Sequence, residues 1–528
     1  MIYFACLFSI ENSGKQSGGA SPYNLAVYVS VILLIFWHFV LSLGQKRIEV
    51  CFVKLTLIAV WLLAIGALNG VMEDWFYQSL AIVIGLVFIF SLAQNRFSQQ
   101  QWLWLFYALC ILGLIQALIA LDQRFDRFGV LYFWTQYFPF KFHSAYLGSL
   151  QQKNMFASFM AFAVVLSLYV LAFLNLKLLA KIPLFLLVLI GAFEIFNGGS
   201  RAGLLALLIA TLVLLLALKK LLKENPRTLL IWLGLLVTGY ILNLFVASIG
   251  SSATDKLMGV VSGVDARLFL YSTGWDMFLQ QPWFGYGIGG YTEAFQRYIV
   301  ANDLSEQLLN VGLGATKSTH PHNELLFWLL QVGIIGIFPL LLLIAWMARN
   351  WWQQGKTHFL TAIALTFPLL FQAMVSYPFT LSALHYFLTL LMLFYFTSLQ
   401  ARTIRFSCPL GACFLSKVLL ITLMVGVISF GYKAFYANFE IYYFKNRLFL
   451  YKEYPKQEQV GYFRYASNIP WFENLVQVNM QNLFENAVRE GNFYDLKQYL
   501  LWYQKQSKPS ELMRSNAEQA ERLLEKQL

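Results

Sequence analysis

The stretch Ser318-Thr319-His320-Pro321-His322-Asn323-Glu324 gathers two imidazoles, an amide and a carboxylate directly before a long apolar run. Proline at 321 presets the turn that leads into a helix, so His322 falls near that helix's N-terminus. The positive end of the macrodipole favours a neutral imidazole there, which is the form a general base requires. Two other readings stay open. The pair can be interfacial histidines without chemistry, or His320, His322 and Glu324 can chelate a metal, although the i, i+4 histidine pair of a zinc-binding helix is missing.

A second motif, Asn197-Gly198-Gly199-Ser200-Arg201-Ala202-Gly203, precedes another apolar run. Arginine offers a planar, permanently charged fork suited to phosphate oxygens. Glycines admit close backbone approach, and a following helix N-terminus adds to an anion site. The competing reading is an arginine snorkelling to lipid headgroups. A third segment holds Asp265-Ala266-Arg267 and, further on, Pro282-Trp283-Phe284-Gly285-Tyr286-Gly287-Ile288-Gly289-Gly290. Arg267 is a candidate second anion clamp. The G-x-G-x-x-G spacing has no strand before it and reads as a tight turn packed with aromatics rather than a nucleotide loop. Gln152, Asn154 and Tyr377 sit at the edges of apolar runs, where they either hydrogen-bond a polar substrate or cap a helix.

These groups need a scaffold. Of 528 residues, 59% are hydrophobic and only 12% charged, with a mean hydropathy of +0.60. A soluble domain runs at about 45–50% apolar and about 25% charged. The excess therefore excludes a single soluble core, as well as disordered, collagen-like and disulfide-scaffold classes. The fold class is an all-α polytopic membrane protein. A span takes about 20 mostly apolar residues, and such runs lie near 24–43, 50–71, 75–94, 101–121, 155–175, 182–197, 203–221, 228–247, 323–348, 357–376, 381–399 and 413–433, predicting about 12 transmembrane helices. The run 182–197 is short, and 381–399 is interrupted by His385.

The net charge of +12 does not imply a nucleic-acid partner, because Lys and Arg cluster in short connections. Lys46 and Arg47, Arg96, Lys177 and Lys181, Lys219 to Arg227, Arg349 and Lys356, and Arg402 and Arg405 occur in alternate connections. By the positive-inside rule these face the cytoplasm. All the candidate site residues then share the outward face. The implied organisation is an N-terminal outward or interfacial segment at 1–23, spans one to eight at 24–247, a large outward loop at 248–322, spans nine to twelve at 323–433, and a helical outward domain at 434–528. Helical spacing in that last part runs near Asn479–Tyr503 and Glu511–Leu524. Met1–Ile10 is apolar but too short to span, with no cleavage-type signal after it. Cys6, Cys51, Cys110, Cys408 and Cys413 are scattered and imply no disulfide framework.

Taken together, the motifs resemble the bacterial O-antigen ligase superfamily, and within it the O-linked protein oligosaccharyltransferases that glycosylate pilins and other exported proteins. The resemblance runs through roughly 145–400. It rests on Gln152–Asn154, Ser-Arg-Ala-Gly at 200–203, Arg267 with its Pro-Trp-Phe-Gly-Tyr-Gly follow-up, His-Pro-His-Asn-Glu at 320–324 and Tyr-Pro-Phe at 377–379. It implies a multi-pass protein of the bacterial inner membrane with its site facing the periplasm. The implied activity is a metal-independent glycosyltransferase without a cofactor, which takes a glycan from an undecaprenyl-pyrophosphate carrier. Carried over by motif, His322 matches the catalytic histidine, and Arg201 and Arg267 match the pyrophosphate-binding arginines. Gln152, Asn154 and Tyr377 match further substrate-binding positions, with His320 a partner of the base. The chain departs from the family at Met1–Ile10, where a full cytoplasm-started span is usual. The C-terminal domain favours an exported, pilin-like protein as acceptor. O-antigen ligation onto lipid A-core is the alternative, and polymerisation of O-antigen a further one. A transporter or flippase is the rival from another class; it would place polar groups near mid-membrane between repeats.

Overall fold

A bilayer offers no hydrogen-bond partner to a bare backbone, so apolar segments of spanning length satisfy it internally as helices. The computed structural model describes residues 27–35, 45–94, 97–125, 148, 150, 152–246, 266–310, 320–398, 403–407 and 510–525, with isolated positions at 422, 425 and between 481 and 504. In chain order the helices are α1 (Val50–Ala67), α2 (Met72–Ala93), α3 (Gln99–Phe125), α4 (Lys153–Phe173), α5 (Leu178–Asn197), α6 (Arg201–Ala217), α7 (Lys219–Glu224) and α8 (Pro226–Val246). They continue as α9 (Ala266–Gln280), α10 (Tyr291–Ala301), α11 (Ser305–Asn310), α12 (Glu324–Gln353), α13 (Lys356–Val375), α14 (Pro378–Leu381), α15 (Ala383–Ser398) and α16 (Glu511–Glu525).

Among the described residues, 7 helices are long and apolar enough to cross a membrane: α2, α3, α4, α5, α8, α12 and α13. Shorter apolar helices occupy α1, α6 and α15. Each coincides with an apolar run read from the sequence. The run near 24–43 is described only at 27–35, which is helical, and the run near 413–433 lies outside the described residues apart from 422 and 425. The chain is thus a helical, polytopic membrane protein.

Burial sorts the helices. The apolar window of α4 is 89% buried and that of α8 only 17%, so α4 is the central post and α8 meets the surroundings. Close approach to α4 depends on small residues. A Cβ on Gly203 of α6 would lie 2.4 Å from the Ala157 Cβ, and one on Gly113 of α3 would lie 2.6 Å from the Ala163 Cβ. Small-on-small contact is how membrane helices gain packing when lipid provides no hydrophobic drive between them. Polar ties add to it: Trp232 Nε1 donates to Ser167 Oγ at 3.0 Å, and the Tyr169 and Tyr395 hydroxyls meet at 3.0 Å.

One addition to the helical plan is a two-stranded antiparallel ribbon of β1 (Gln45–Glu49) and β2 (Thr403–Ser407), with Arg47 opposite Arg405 in the register. Two of the basic connections therefore lie side by side and satisfy each other's backbone, which helical periodicity could not reveal.

Helix α12 is broken at Gly333, where φ is 62° and ψ −172°. The segment after α9 fills the break. Tyr286 and Gly287 donate their backbone N–H to the carbonyls of Leu330 and Gln331 at 2.8 and 2.9 Å, while Ile334 and Ile335 donate to Pro282 and Trp283 at 2.9 and 3.2 Å. Further along, Ile288 N donates to Gly66 O and Val71 N to Ile288 O, joining the strap to the α1–α2 turn. A Cβ on Gly333 would lie 2.2 Å from Trp283 O, and one on Gly287 2.1 Å from the Asn69 carbonyl carbon. The glycine-rich spacing is thus a backbone strap threaded between membrane helices. A separate unit contains the C-terminal residues from Ile428 onward. Within it Phe484, Leu496, Tyr499, Met513, Ala517 and Ala520 form a small core, with α16 contributing the last three.

Candidate active site

The histidine turn is held from several directions. Asn323 caps α12: its side-chain oxygen accepts from Leu326 N at 3.0 Å, and its amide donates to the Met374 carbonyl at 3.0 Å, tying the start of α12 to the end of α13. The Tyr271 hydroxyl of α9 lies 3.2 Å from the His322 carbonyl and 3.3 Å from the Met374 carbonyl. His322 sits in the left-handed region at φ 56°, a conformation it shares with Asp303 among the described non-glycine residues. Such strain persists only where surrounding contacts over-determine it, and here they do.

The rings stack accordingly. His320 lies 4.2 Å from His322 and 3.3 Å from Tyr377, centroid to centroid, with His322 and Tyr377 6.2 Å apart. Burial, with a lesser effect from neighbouring His322, pushes the His320 imidazole down to about 2. His320 is therefore neutral at any ordinary pH. Glu324 is 6% exposed; the Trp328 side chain and the Phe379 backbone are within hydrogen-bonding reach of its carboxyl, while Oε2 has no partner. The Tyr377–Phe379 turn is thereby fastened to the histidine turn. Among the described residues no group of three or more His, Cys, Asp or Glu converges to hold a metal, so His320, His322 and Glu324 do not form the chelating set left open by the sequence.

Arg201 is built differently. Ser200 caps α6 by accepting from Gly203 N at 3.2 Å, and its hydroxyl donates to Asn154 Oδ1 at 2.9 Å. Asn154 thus spends its oxygen on holding the turn before Arg201. Arg201 itself is the first residue of α6 and is exposed. Gln152 precedes α4 without capping it, and its Oε1 is buried with no hydrogen-bond partner.

His385, the residue that interrupted a predicted span, is a staple. It is fully buried, with Nε2 2.9 Å from Ser158 Oγ and Nδ1 2.8 Å from Ser382 Oγ. The Ser158 hydroxyl also lies 3.0 Å from the Met155 carbonyl, so it bridges that carbonyl and the ring. Both ring nitrogens are thus paired with serine hydroxyls, which can each donate or accept. This joins the start of α15 to the start of α4.

These ties are transitive. Asn154–Ser200, Ser158–His385, Tyr377–His320 and Asn323–Met374 gather the starts of α4, α6, α12 and α15 with the end of α13 at one end of the bundle. Arg267 lies in the first turn of α9, one helical turn before Tyr271, whose hydroxyl reaches the His322 carbonyl. Sequence reasoning missed Tyr271. It also missed Gln372 and Ser376, which, like Asn197 of the second motif, have buried side-chain polar atoms without a hydrogen-bond partner. It missed as well the Glu194–Arg124 ion pair at 3.9 Å, with Glu194 1% exposed. A carboxylate inside a predicted span is a functional candidate by default, and that signal was available for Glu194. Orphaned buried polar atoms cost about 1–3 kcal/mol each, so their concentration here marks a place suited to water or a polar ligand.

Residues 185–341 match the family model described as O-antigen ligase. The match runs from within α5 into α12 and takes in Arg201, Arg267, His320 and His322, but not Gln152, Asn154 or Tyr377. No curated protein matches the chain.

Proposed function

Proceeding from the O-antigen ligase domain that the chain carries, and from the membership of the O-antigen ligase superfamily that it marks, we propose that this multi-pass membrane glycosyltransferase is an O-oligosaccharyltransferase. It moves a glycan en bloc from undecaprenyl-pyrophosphate to Ser or Thr hydroxyls of exported proteins such as a pilin. The setting is the bacterial inner membrane, with the site open to the periplasm.

In this reading Arg201 and Arg267 hold the diphosphate and stabilise the charge that grows on it as the anomeric C–O bond breaks. His322 takes the proton of the acceptor hydroxyl, whose oxygen forms the new bond to the anomeric carbon. The lipid diphosphate leaves with the electron pair of the broken bond. His320, kept neutral by burial, packs between His322 and Tyr377 and orients the base without competing for the proton. Gln152 has a free acceptor for a sugar hydroxyl, and Asn154 serves Arg201 by holding its turn. Because the donor already carries its leaving group, the scheme draws on no metal, cofactor or external energy source. Having both reactants in one place supplies much of the remaining rate.

The observation that supports this reading is the set of contacts that gathers the His320–His322 turn and the turn before Arg201 at one end of the bundle, with Tyr271 linking α9, which carries Arg267, to His322. Attachment of O-antigen to lipid A-core is favoured by the matched family's description; a protein acceptor is favoured by the separate C-terminal unit with its own core, a surface on which a polypeptide can dock. Broken membrane helices also occur in transporters, but the break in α12 is filled by the 282–288 backbone, which favours chemistry over transport. Deleting the gene separates the two acceptors. Loss of pilin glycan with intact long-chain lipopolysaccharide supports the proposal, and the opposite outcome replaces it with the ligase reading.

A further inference from the structure

Helix α9 belongs to the stretch that composition assigns to an aqueous loop, yet it has two apolar faces. One holds Leu270, Gly274, Met277 and Phe278 and is buried, with Gly274 packed against Leu326 and Leu330 of α12. The other presents Leu268, Trp275 and Leu279, which are 54%, 51% and 59% exposed and fall on one helical stripe. The stripe continues past the helix into Trp283 and Phe284, 63% and 43% exposed. Neighbouring α10 shows what a water-facing helix looks like here: Tyr291, Phe295 and Ile299 are buried, and its other side carries the exposed Glu293–Arg297 pair.

What covers the stripe follows from where it leads. Pro282 and Trp283 accept hydrogen bonds from Ile334 and Ile335 in the membrane-crossing part of α12, and Ile288 pairs with the α1–α2 turn. The surfaces beside these joints are the exposed apolar sides of those helices, with Ile334 and Phe338 on α12 and Leu68 and Met72 at the turn. The stripe is therefore continuous with surface that composition assigns to lipid. Exposed Ser272 and Asp276 border it, and tryptophans sit within it, a composition suited to the headgroup boundary rather than the hydrocarbon centre.

We infer that α9 is an interfacial helix whose Leu268–Trp275–Leu279 stripe, extended by Trp283 and Phe284, lies in the lipid leaflet at the site end of the bundle. Arg267, next to Leu268, is then held at the depth of lipid phosphates, which is where a lipid-linked diphosphate presents its charge. The placement of α9 does not depend on the transferase reading.

The test uses full-length protein in liposomes of phosphatidylethanolamine and phosphatidylglycerol. Native cysteines are replaced, and one spin label at a time is attached at Leu268→Cys, Trp275→Cys, Leu279→Cys or, as an aqueous reference, Arg297→Cys. Power saturation should show the α9 labels several-fold more accessible to oxygen than to a water-soluble nickel complex, with the reverse at Arg297. Accessibility to nickel equal to that at Arg297 would overturn the inference, as would protection from both reagents, which would mean that protein covers the stripe. Repeating the measurement with the paired variant Leu279→Ser, labelled at Trp275→Cys, controls for a label that creates its own affinity for lipid. Unchanged depth supports seating by the helix, and a label that follows lipid only when Leu279 is present shows local adhesion and contradicts it.

Discussion

The two flanks of the site end are held to different standards. Around His322 the backbone is fixed on both sides: Asn323 bonds forward to Leu326 and across to Met374, Tyr271 reaches the His322 carbonyl, and His320 is wedged against Tyr377. Around Arg201, the turn is fixed by Ser200 and Asn154 but the side chain is exposed. A base must meet one proton at hydrogen-bond range in one direction, and small misplacement is expensive. A guanidinium that captures a diphosphate on a mobile lipid works through charge and a broad fork of donors, so it needs a fixed root and a free head. On the proposed roles of His322 and Arg201, rigidity is concentrated where direction matters.

The largest effect is expected on the Arg201 side. Arg201→Ala is expected to lower glycan transfer by about 10²–10³, the usual cost of removing a donor aimed at developing charge. Arg201→Lys should recover only part of it, because the charge returns without the fork. Equal rates for Lys and Arg would mean that charge alone suffices. Next, Asn323→Ala removes a helix cap and the link to Met374, so kcat should fall more than 10-fold with donor affinity little changed, alongside about 1 kcal/mol of stability. A change confined to KM would place Asn323 in binding instead. Smaller again, Ser200→Ala should cost about 1 kcal/mol through its cap and reduce transfer less than Arg201→Ala does, as measured by unfolding in detergent and by initial rates.

The smallest effect concerns pH. The folded protein holds the His320 imidazole down to about 2, whereas an unfolded histidine titrates near 6.5. Above about 6.5 neither state is protonated and the residue leaves stability unchanged; below it only the unfolded state takes the proton, so stability falls as pH drops from about 6.5 toward 2. His320→Gln should flatten part of the decline in melting temperature between pH 7 and pH 4. Parallel declines for parent and variant would show that His320 is not protected from protonation in the fold.

Much of the scaffold was legible because span length and hydropathy are one-dimensional signals. Each described apolar helix fell on a predicted run, including the one that His385 seemed to spoil. That histidine is tolerated because Ser158 and Ser382 occupy both of its nitrogens, and nothing in local sequence announces a partner more than two hundred residues away. His322 and Arg201 were legible from residue type beside helix starts. Their supports were not: the carbonyls of Met374 and His322, which Tyr271 reaches, carry no side-chain signature. Gly285, Gly287 and Gly333 were visible as punctuation, but that they let one backbone thread another required coordinates. Glu194 could have been flagged as an acid within an apolar run; its partner Arg124 could not.

His322 is proposed to act as the base at a site whose donor is bound by other groups. The decisive measurement is single-turnover transfer with purified protein, using a defined undecaprenyl-pyrophosphate glycan and an acceptor peptide in parent and His322→Ala. The variant should bind the lipid donor as the parent does and transfer about 10²–10⁴-fold more slowly. Transfer at the parent rate would contradict it.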